Sequence, residues 1–358
     1  MSLLLHRETE TQAGFVAVDA LRKPWVRDFM LYRGRTIPVI RTSLDAADRR
    51  GGIRARWDIG RMGYTVLPGL YALGSPSSDS TVFVTANYKM SFDALRSSLS
   101  GLDAWMVVLD TRGVNVWCAA GKGTFGTDEL VSRVAKLRLA DVVDHRALVL
   151  PQLGASGVSA PETARRSGFR VEWGPVRAAD IPAWLAAGRR KDDAMRTVRF
   201  DLRDRMAVAP VELAHAWPLV PAALALAALY GLPADGAWAS RALPAAILLL
   251  GAVPVGTLLF PALLPWLPGR AFVVKGACLG AAWAASCAVL SGMPALAAAG
   301  WSLVAMPVVA FLGMNFTGSS TYTSQPGAQL EVERSLLPMV LSMAAGLIAV
   351  VVSRLSGS

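Results

Sequence analysis

The sequence predicts an α/β domain followed by an all-α domain of five membrane-spanning helices, and three observations carry that prediction. Charge is divided unevenly: of 36 Lys/Arg and 26 Asp/Glu, residues 213–358 hold only five and three. Five apolar stretches fill that second part, at about 213–231, 243–267, 271–291, 294–313 and 336–354. Each is near or above the ~20 residues a helix needs to cross ~30 Å of hydrocarbon. In the first part, short β-rich runs alternate with helical patterns, the signature of a mostly parallel sheet covered by helices. The divisions expected are 1–188 for the α/β domain, 189–212 for a basic juxtamembrane linker and 213–358 for the membrane domain.

The elements follow in order. The first ~35 residues show no clear period, and Ile37–Ile40 and Ile53–Trp57 read as short strands. Thr81–Thr85 reads as a buried strand, followed by a helix that Ser91 caps and that runs to about Leu99. A second strand at Trp105–Leu109 ends in Asp110-Thr111-Arg112-Gly113. Over 127–139 a helix is expected, with Thr127 as cap, Asp128 and Glu129 in the first turn and Leu130, Val134 and Leu137 facing inward. Strands at Ala147–Leu150 and Phe169–Trp173 and helices near 160–167 and 180–187 complete the series. Ligands of such sheets bind beyond the carboxyl ends of the strands. The two unusual loops, 110–127 and 151–159, both leave from those ends and are expected to face one site.

Between 189 and 206, Met195, Val198, Leu202 and Met206 fall on one helical stripe among arginines. An interfacial membrane helix and a solvated linker helix both fit that pattern. The second apolar stretch carries Pro244, Pro254, Pro261 and Pro265 and is expected to kink or break near its end. In the third, Gly276 and Gly280, continued by Ala284 and Ala288, form the small-residue face on which membrane helices approach closely. Cys278 and Cys287 are nine residues apart, hence on opposite faces, and read as packing residues.

Orientation follows the basic bias. Seven basic residues lie between Arg189 and Arg205, whereas the first two outer loops carry only Arg241. A multi-pass protein of the inner or plasma membrane with a cytoplasmic N-terminal domain is expected. Met1–His6 is too short an apolar run for a signal-peptide core. No Lys/Arg cluster interleaves with aromatics, so the net charge of +10 points to lipid headgroups rather than nucleic acid. Few ionisable groups lie deep in the spans, which leaves a transporter little to work with.

Cys118 is the first of three cysteines and stands alone in the first 270 residues, which excludes a disulfide framework, an iron–sulfur cluster or a multi-cysteine zinc site there. Asn115 is a good N-cap, placing Cys118 at the third helical position, where free N–H groups and the helix dipole favour negative charge on sulfur. Gly121, Gly123 and Gly126 follow, as suits a large flat ligand approaching the backbone. Trp117 offers an aromatic plane or a core anchor, and Lys122 a charge. The string lacks the spacing of a phosphate-binding P-loop, because Val116 stands where glycine is required. On these residues alone the plainer reading, a buried and inert cysteine, is favoured.

The stretch from Asp110 to Thr127, with Asn115-Val116-Trp117-Cys118-Ala119-Ala120-Gly121-Lys122 at its centre, resembles the cap-helix region of the mercury-methylating corrinoid proteins. That family is related to the large subunit of the corrinoid iron–sulfur protein. The resemblance extends to Val84–Lys89, to Pro151–Val158, to a Rossmann-like domain followed by five membrane helices and, less specifically, to Phe316–Thr321. It implies a cobamide cofactor, with the Cys118 sulfur as lower axial cobalt ligand and catalytic residue. The cofactor-binding residues it implies are Thr85, Asn87, Asn115, Val116, Trp117, Cys118, Ala119, Ala120, Gly121, Lys122, Gly123, Thr124, Gly154, Ala155, Ser156 and Gly157. His6, His145 and His215 lack the Asp-x-His-x-x-Gly pattern of histidine-ligated B12 proteins, and His145 reads as a strand-edge residue.

The implied reaction is methyl transfer from methyl-Co(III) to Hg(II), forming methylmercury, with a folate-linked methyl donor. The chain has too few cysteines for its own iron–sulfur cluster, so an iron–sulfur ferredoxin-like partner is expected as reductant. Two alternatives stay open. One is a membrane-bound corrinoid methyl carrier with a different acceptor, and the other a non-enzymatic corrinoid-binding or transport protein.

Overall fold

A computed structural model describes residues 8–9, 16–17, 22–232, 237–323 and 325–356. His6 and the Met1–His6 run lie outside the described residues. The chain divides into two compact units, one of residues up to Ala55 with Ile59–Val198, the other of Arg56–Asp58 with Arg199–Ser358.

In the first unit Glu8–Thr9 pairs antiparallel with Val16–Ala17 as a separate two-stranded sheet. The strands of the main sheet are β1 (Val26–Tyr32), β2 (Arg35–Ile40), β3 (Gly69–Leu73), β4 (Val82–Ala86), β5 (Ala104–Leu109), β6 (Ala147–Leu150) and β7 (Arg170–Trp173). They lie in the order β1-β2-β3-β5-β4-β6-β7. Strands β5, β4, β6 and β7 are mutually parallel, while β1 on β2 and β3 on β5 are antiparallel. The helices are α1 (Ala46–Arg56), α2 (Lys89–Ser98), α3 (Val116–Gly121), α4 (Thr127–Lys136), α5 (Ala160–Ser167) and α6 (Ile181–Ala186). Alternate residues of the central strands feed two cores. Val82, Val84, Trp105 and Val107 pack with Leu130 and Val134 of α4, and Phe83, Met106 and Val108 pack with Phe92 and Leu95 of α2. Burial on both faces explains why these strands read as continuous apolar runs.

Three local readings are corrected. Residues 46–56 are helical, so Ile53–Trp57 is not a strand. Asp45 and Asp48 cap each other's backbone N–H groups at 3.1 and 2.8 Å, a reciprocal N-terminal lock. Helix α2 starts at Lys89, two residues before Ser91, and its N-cap is Tyr88. Gly126, not Thr127, caps α4, and the Thr127 hydroxyl instead accepts the Ser159 N–H at 2.8 Å.

A buried ion network ties α1 to α2. The Lys89 ammonium donates to Asp48 at 2.7 Å and to Asp93 at 2.5 Å, and the Arg96 guanidinium donates to Asp48 at 2.6 Å and to Asp93 at 2.7 Å. Burial alone would push the Asp48 carboxyl up, but hydrogen bonds from Lys89, Arg96 and the Asp45 N–H outweigh it and bring it down to about 2. Burial, with the Asp93 and Asp48 carboxylates behind it, pushes the Tyr64 phenol up to about 12. The Asp48 contribution to stability is therefore complete above its unfolded value of 3.8 and is lost as pH falls through about 2. Tryptophan-fluorescence melts of the purified chain should show a midpoint that falls between pH 4 and pH 2. Asp48→Asn should flatten that part of the profile.

The juxtamembrane stripe does not form one helix. Short helices α7 (Asp193–Arg196) and α8 (Leu202–Met206) are separated by extended chain at Thr197 and a left-handed Phe200 (φ 48°). Asp192 and Asp201 each start a new helix by capping it, which separates Met195 and Val198 from Leu202 and Met206.

Among the described residues of the second unit four helices are long and apolar enough to cross a membrane: Trp238–Leu263, Phe272–Ser291, Ala295–Asn315 and Gly327–Ser356. The expected first span, 213–231, is not one straight helix. Helices α9 (Ala209–His215) and α10 (Leu219–Gly231) lie on either side of a 57° bend near Pro218. The next span consists of α11 (Trp238–Pro254), a π-helical turn at Val255–Leu259 and α12 (Phe260–Leu263). The irregularity begins directly after Pro254, as its missing N–H requires. Helices α13 (Phe272–Ser291), α14 (Ala295–Asn315) and α15 (Gln325–Ser356) follow. Gly276 and Gly280 are the close-packing face expected of them: a Cβ would come within 2.6 Å of the Ala310 Cα and 2.9 Å of the Met306 Cα. Cys287 is buried and Cys278 exposed, on opposite sides of α13.

Candidate functional site

Three segments leave the carboxyl ends of the parallel strands side by side: Asn87 after β4, residues 110–115 after β5 and residues 151–159 after β6. Asn87 is 6 % exposed and organises the second of them. Its Oδ1 accepts from the Thr111 N–H (3.1 Å), the Thr111 hydroxyl (2.8 Å) and the Gly113 N–H (3.0 Å), and its Nδ2 donates to Asp110 at 3.2 Å. Arg112 and Gly113 take left-handed backbone (φ 57° and 74°), and a Cβ at Gly113 would meet the Met62 carbonyl at 2.9 Å. Asn87 thus holds a strained turn that leads straight into the cysteine helix.

Helix α3 begins as the sequence suggested. Asn115 is its N-cap, and the Asn115 Oδ1 accepts the Cys118 N–H at 3.0 Å. The Asn115 Nδ2 lies 3.5 Å from the Cys118 Sγ, within reach of a weak N–H···S bond. Cys118 is partly exposed and in no disulfide. One residue both sets the helix start and faces the sulfur.

Beside this helix is a cavity of about 350 Å³. Thr85, Asn115, Val116 and Trp117 line it, joined by Ser91, Leu95, Leu153, Pro175 and Ile181, which the sequence did not mark as site residues. Most of the lining is apolar, so the cavity suits a flat, weakly polar group. The other expected binding residues fall into two sets. Gly121, Lys122, Gly123, Ala155 and Ser156 are exposed and Thr124 is partly so, whereas Ala119 and Ala120 are core residues at 0 % and 3 % exposure. Gly154 and Gly157 are spoken for by packing. A Cβ at Gly154 would sit 2.5 Å from the Phe125 ring, and one at Gly157 2.3 Å from the Phe125 carbonyl and 2.9 Å from the Ala120 Cα. Their role is to lock the 151–159 loop onto the cysteine helix. His145 sits at the turn into β6, its ring 3.0 Å from the Ser80 carbonyl, a strand-edge position.

Two expectations follow. Asn87→Ala leaves the buried Thr111 and Gly113 N–H groups unpaired, which costs about 1–3 kcal/mol, while the Thr111 hydroxyl keeps the Val114 carbonyl at 2.6 Å. Hydrogen exchange at 110–118 should rise while the melting midpoint falls only modestly. Gly157→Val drives a branched side chain into backbone, and should destabilise the chain by about 3 kcal/mol or leave it unfolded, as a denaturant titration would record. Unlike Gly157, Gly123 has open space around it and a left-handed φ of 78°, so Gly123→Val acts through local backbone strain.

Among the described residues no group of three or more His, Cys, Asp or Glu could hold a metal ion. Cys118 offers one partly exposed sulfur, on a helix whose start at Asn115–Trp117 lines the cavity though Cys118 does not, and an exposed turn with Gly121 and Gly123 follows it. One such sulfur could serve as a single ligand to a metal held by a macrocycle. Residues 60–185 match the family described as CO dehydrogenase/acetyl-CoA synthase delta subunit. Relatives named acetyl-CoA decarbonylase/synthase complex subunit gamma occur in Archaeoglobus fulgidus (32 % identical over 122 residues), Methanosarcina acetivorans (31 % over 121) and Methanopyrus kandleri (30 % over 122). These matches cover 34, 33 and 34 % of this chain and 26, 25 and 26 % of the respective relatives. The chain thus spans about a quarter of the length of the curated relatives it matches. The matched stretch contains the parallel strands, the Asn87 turn and the Cys118 helix, and it is through these residues, 60–185, that the chain is similar to the CO dehydrogenase/acetyl-CoA synthase delta subunit family.

Proposed function

We propose that this chain is a membrane-anchored corrinoid methyltransferase that transfers a methyl group to Hg(II), forming methylmercury. The observation that carries the reading is Cys118: a partly exposed sulfur at the third residue of α3, faced by the Asn115 amide, on a helix whose start, Asn115 to Trp117, lines an apolar cavity that Cys118 itself does not line. A cobamide, when bound, supplies a cobalt centre that accepts and releases the methyl group. Cys118 would hold the metal of the bound cofactor through its sulfur, and a thiolate there would supply electron density to it. Asn115 fixes the orientation of that sulfur, and the apolar walls from Thr85 to Ile181 exclude water from the bound cofactor. The glycine turn at 121–123 leaves the backbone accessible to the macrocycle.

The rest of the reading concerns the setting. With three cysteines in all, the chain needs an iron–sulfur ferredoxin-like partner as reductant. A folate-linked donor provides the methyl group. The α/β unit, Rossmann-like in its parallel strands, lies in the cytoplasm and contacts membrane lipid through the basic segment before the spans. The bent α9–α10 pair counts as the first of five crossings. A second reading, a methyl carrier whose acceptor is not mercury, is favoured by the relatives, whose names place them in acetyl-CoA decarbonylase/synthase complexes.

Methyl transfer by the purified chain, loaded with methylcobalamin and supplied with a reductant, separates the two. Methylmercury formed in proportion to chain, and dependent on Cys118, supports the first reading. A demethylated cofactor with a methylated thiol or nickel acceptor, and none with Hg(II), replaces it with the second.

A further inference from the structure

We infer that Lys191 is a positioning residue of the candidate site: it latches together the two loops that wall the cavity beside α3. Only the identity of the cavity's occupant rests on the reading above. The loops follow β6 and β7. Pro151 and Leu153 of the first, and Gly174 and Pro175 of the second, line the cavity. Between the two, the Gln152 N–H reaches the Pro175 carbonyl at 3.5 Å, too long for a strong bond. Lys191 bridges the same loops. Its ammonium donates to the Gln152 Oε1 at 2.5 Å and to the Gly174 carbonyl at 3.3 Å.

The segment around Lys191 is fixed on both sides. Arg189, in left-handed backbone (φ 65°), donates to the Glu172 carboxylate at 2.5 Å and to the Thr81 hydroxyl at 2.8 Å. Its N–H donates to the Trp184 carbonyl at 2.8 Å, and its guanidinium lies 5.7 Å from the centre of the Trp184 ring. On the other side, Asp192 accepts the Met195 N–H at 2.7 Å and so starts α7. The Met195 carbonyl accepts the Val176 N–H at 2.9 Å, and the Met195 side chain packs on the core that holds Leu95 and Ile181, two residues of the cavity wall. Residues 189–195 are therefore a strap on the α/β unit, where the sequence suggested a linker.

The lining of the cavity is mostly apolar, and apolar contact is non-directional, so it does not by itself fix the spacing of the walls. A charge-assisted hydrogen bond from an ammonium held by the strap does. Lys191 is half-buried and does not line the cavity, so it acts on an occupant only through the two loops.

Hydrogen exchange of the full chain, together with titration by hydroxocobalamin followed in its visible spectrum, tests the latch. In Lys191→Met, which keeps most of the side-chain length, the Ala155, Gly174 and Val176 amides should exchange about tenfold faster, the effect of losing one charged hydrogen bond. The Thr111 and Gly113 amides, held by Asn87, should not change. Hydroxocobalamin should bind about tenfold more weakly. Gln152→Leu should reproduce both effects, and the double variant should go no further, because either change breaks the same bridge. Unchanged exchange at those three amides in Lys191→Met, additive effects in the double variant, or faster exchange with wild-type cobamide affinity would each overturn the assignment. A wild-type chain that binds no cobamide would sink the proposed function alone, and the exchange measurements would still decide the latch.

Discussion

Cys118→Ala is expected to abolish methyl transfer to Hg(II) while leaving the chain folded. The two effects separate because the sulfur contributes little to the fold. Asn115 caps the backbone N–H of residue 118, which alanine retains, and the side-chain interaction removed is the weak 3.5 Å approach of the Asn115 amide to the sulfur. The stability cost should be about 1 kcal/mol or less. In the proposed function the sulfur ligates cobalt, so on that reading its removal should change the visible spectrum of bound cobamide together with activity. Cys118→His sharpens the point: imidazole also ligates cobalt but is neutral, so this variant should bind cofactor yet transfer methyl slowly. Full activity in Cys118→Ala, measured as methylmercury formed, would remove the sulfur from the mechanism.

Lys89→Ala is expected to produce a large loss of stability in the α/β unit. Lys89 is 1 % exposed and joins the Asp48 and Asp93 carboxylates of two helices. Removing it leaves two buried carboxylates sharing the single Arg96 guanidinium, and breaking a buried pair from one side costs about 3–5 kcal/mol. The consequence reaches the site, since α2 starts two residues after Asn87 and the Lys89 N–H donates to the Tyr64 carbonyl at 2.9 Å. A denaturant titration should show the drop, and Lys89→Met, which keeps the packing volume, should recover only part of it. A loss below about 1 kcal/mol in the alanine variant would mean that the network is not structural.

The parallel core was legible because its strands are short, β-rich and separated by helical patterns, so the strands expected at 81–85, 105–109, 147–150 and 169–173 fall within one residue of those observed. Helix α1 was not, because Gly51 and Gly52 are poor helix formers. Tertiary packing reverses that preference: a Cβ at Gly51 would sit within 2.7 Å of the Tyr64 ring, so the glycine admits Tyr64 and the helix depends on it. Strand β3 escaped notice for a different reason. Its five residues, Gly-Leu-Tyr-Ala-Leu, include only one β-branched or aromatic residue, Tyr71, so β-propensity does not mark them.

Within the site, the Asn115 cap and the position of Cys118 could be read from spacing. The resemblance implied Asn87 as a contact to the cofactor, and the structure shows its amide bonded to residues 110–113, a second role in positioning the turn. No local signal distinguishes those roles, because the partners lie more than twenty residues away. Gly154 and Gly157 show the same ambiguity: glycine in a loop admits a ligand or a neighbouring backbone equally, and only the close approach of Phe125 and Ala120 separates the two.

The most direct test of the central claim is the visible spectrum of the purified chain after cobamide loading, recorded for wild type and Cys118→Ala. The account predicts equimolar cobamide on the wild-type chain, with a spectrum that shifts when the Cys118 sulfur is removed. A chain that stays colourless after loading, or a bound cobamide whose spectrum is identical in both proteins, would contradict it.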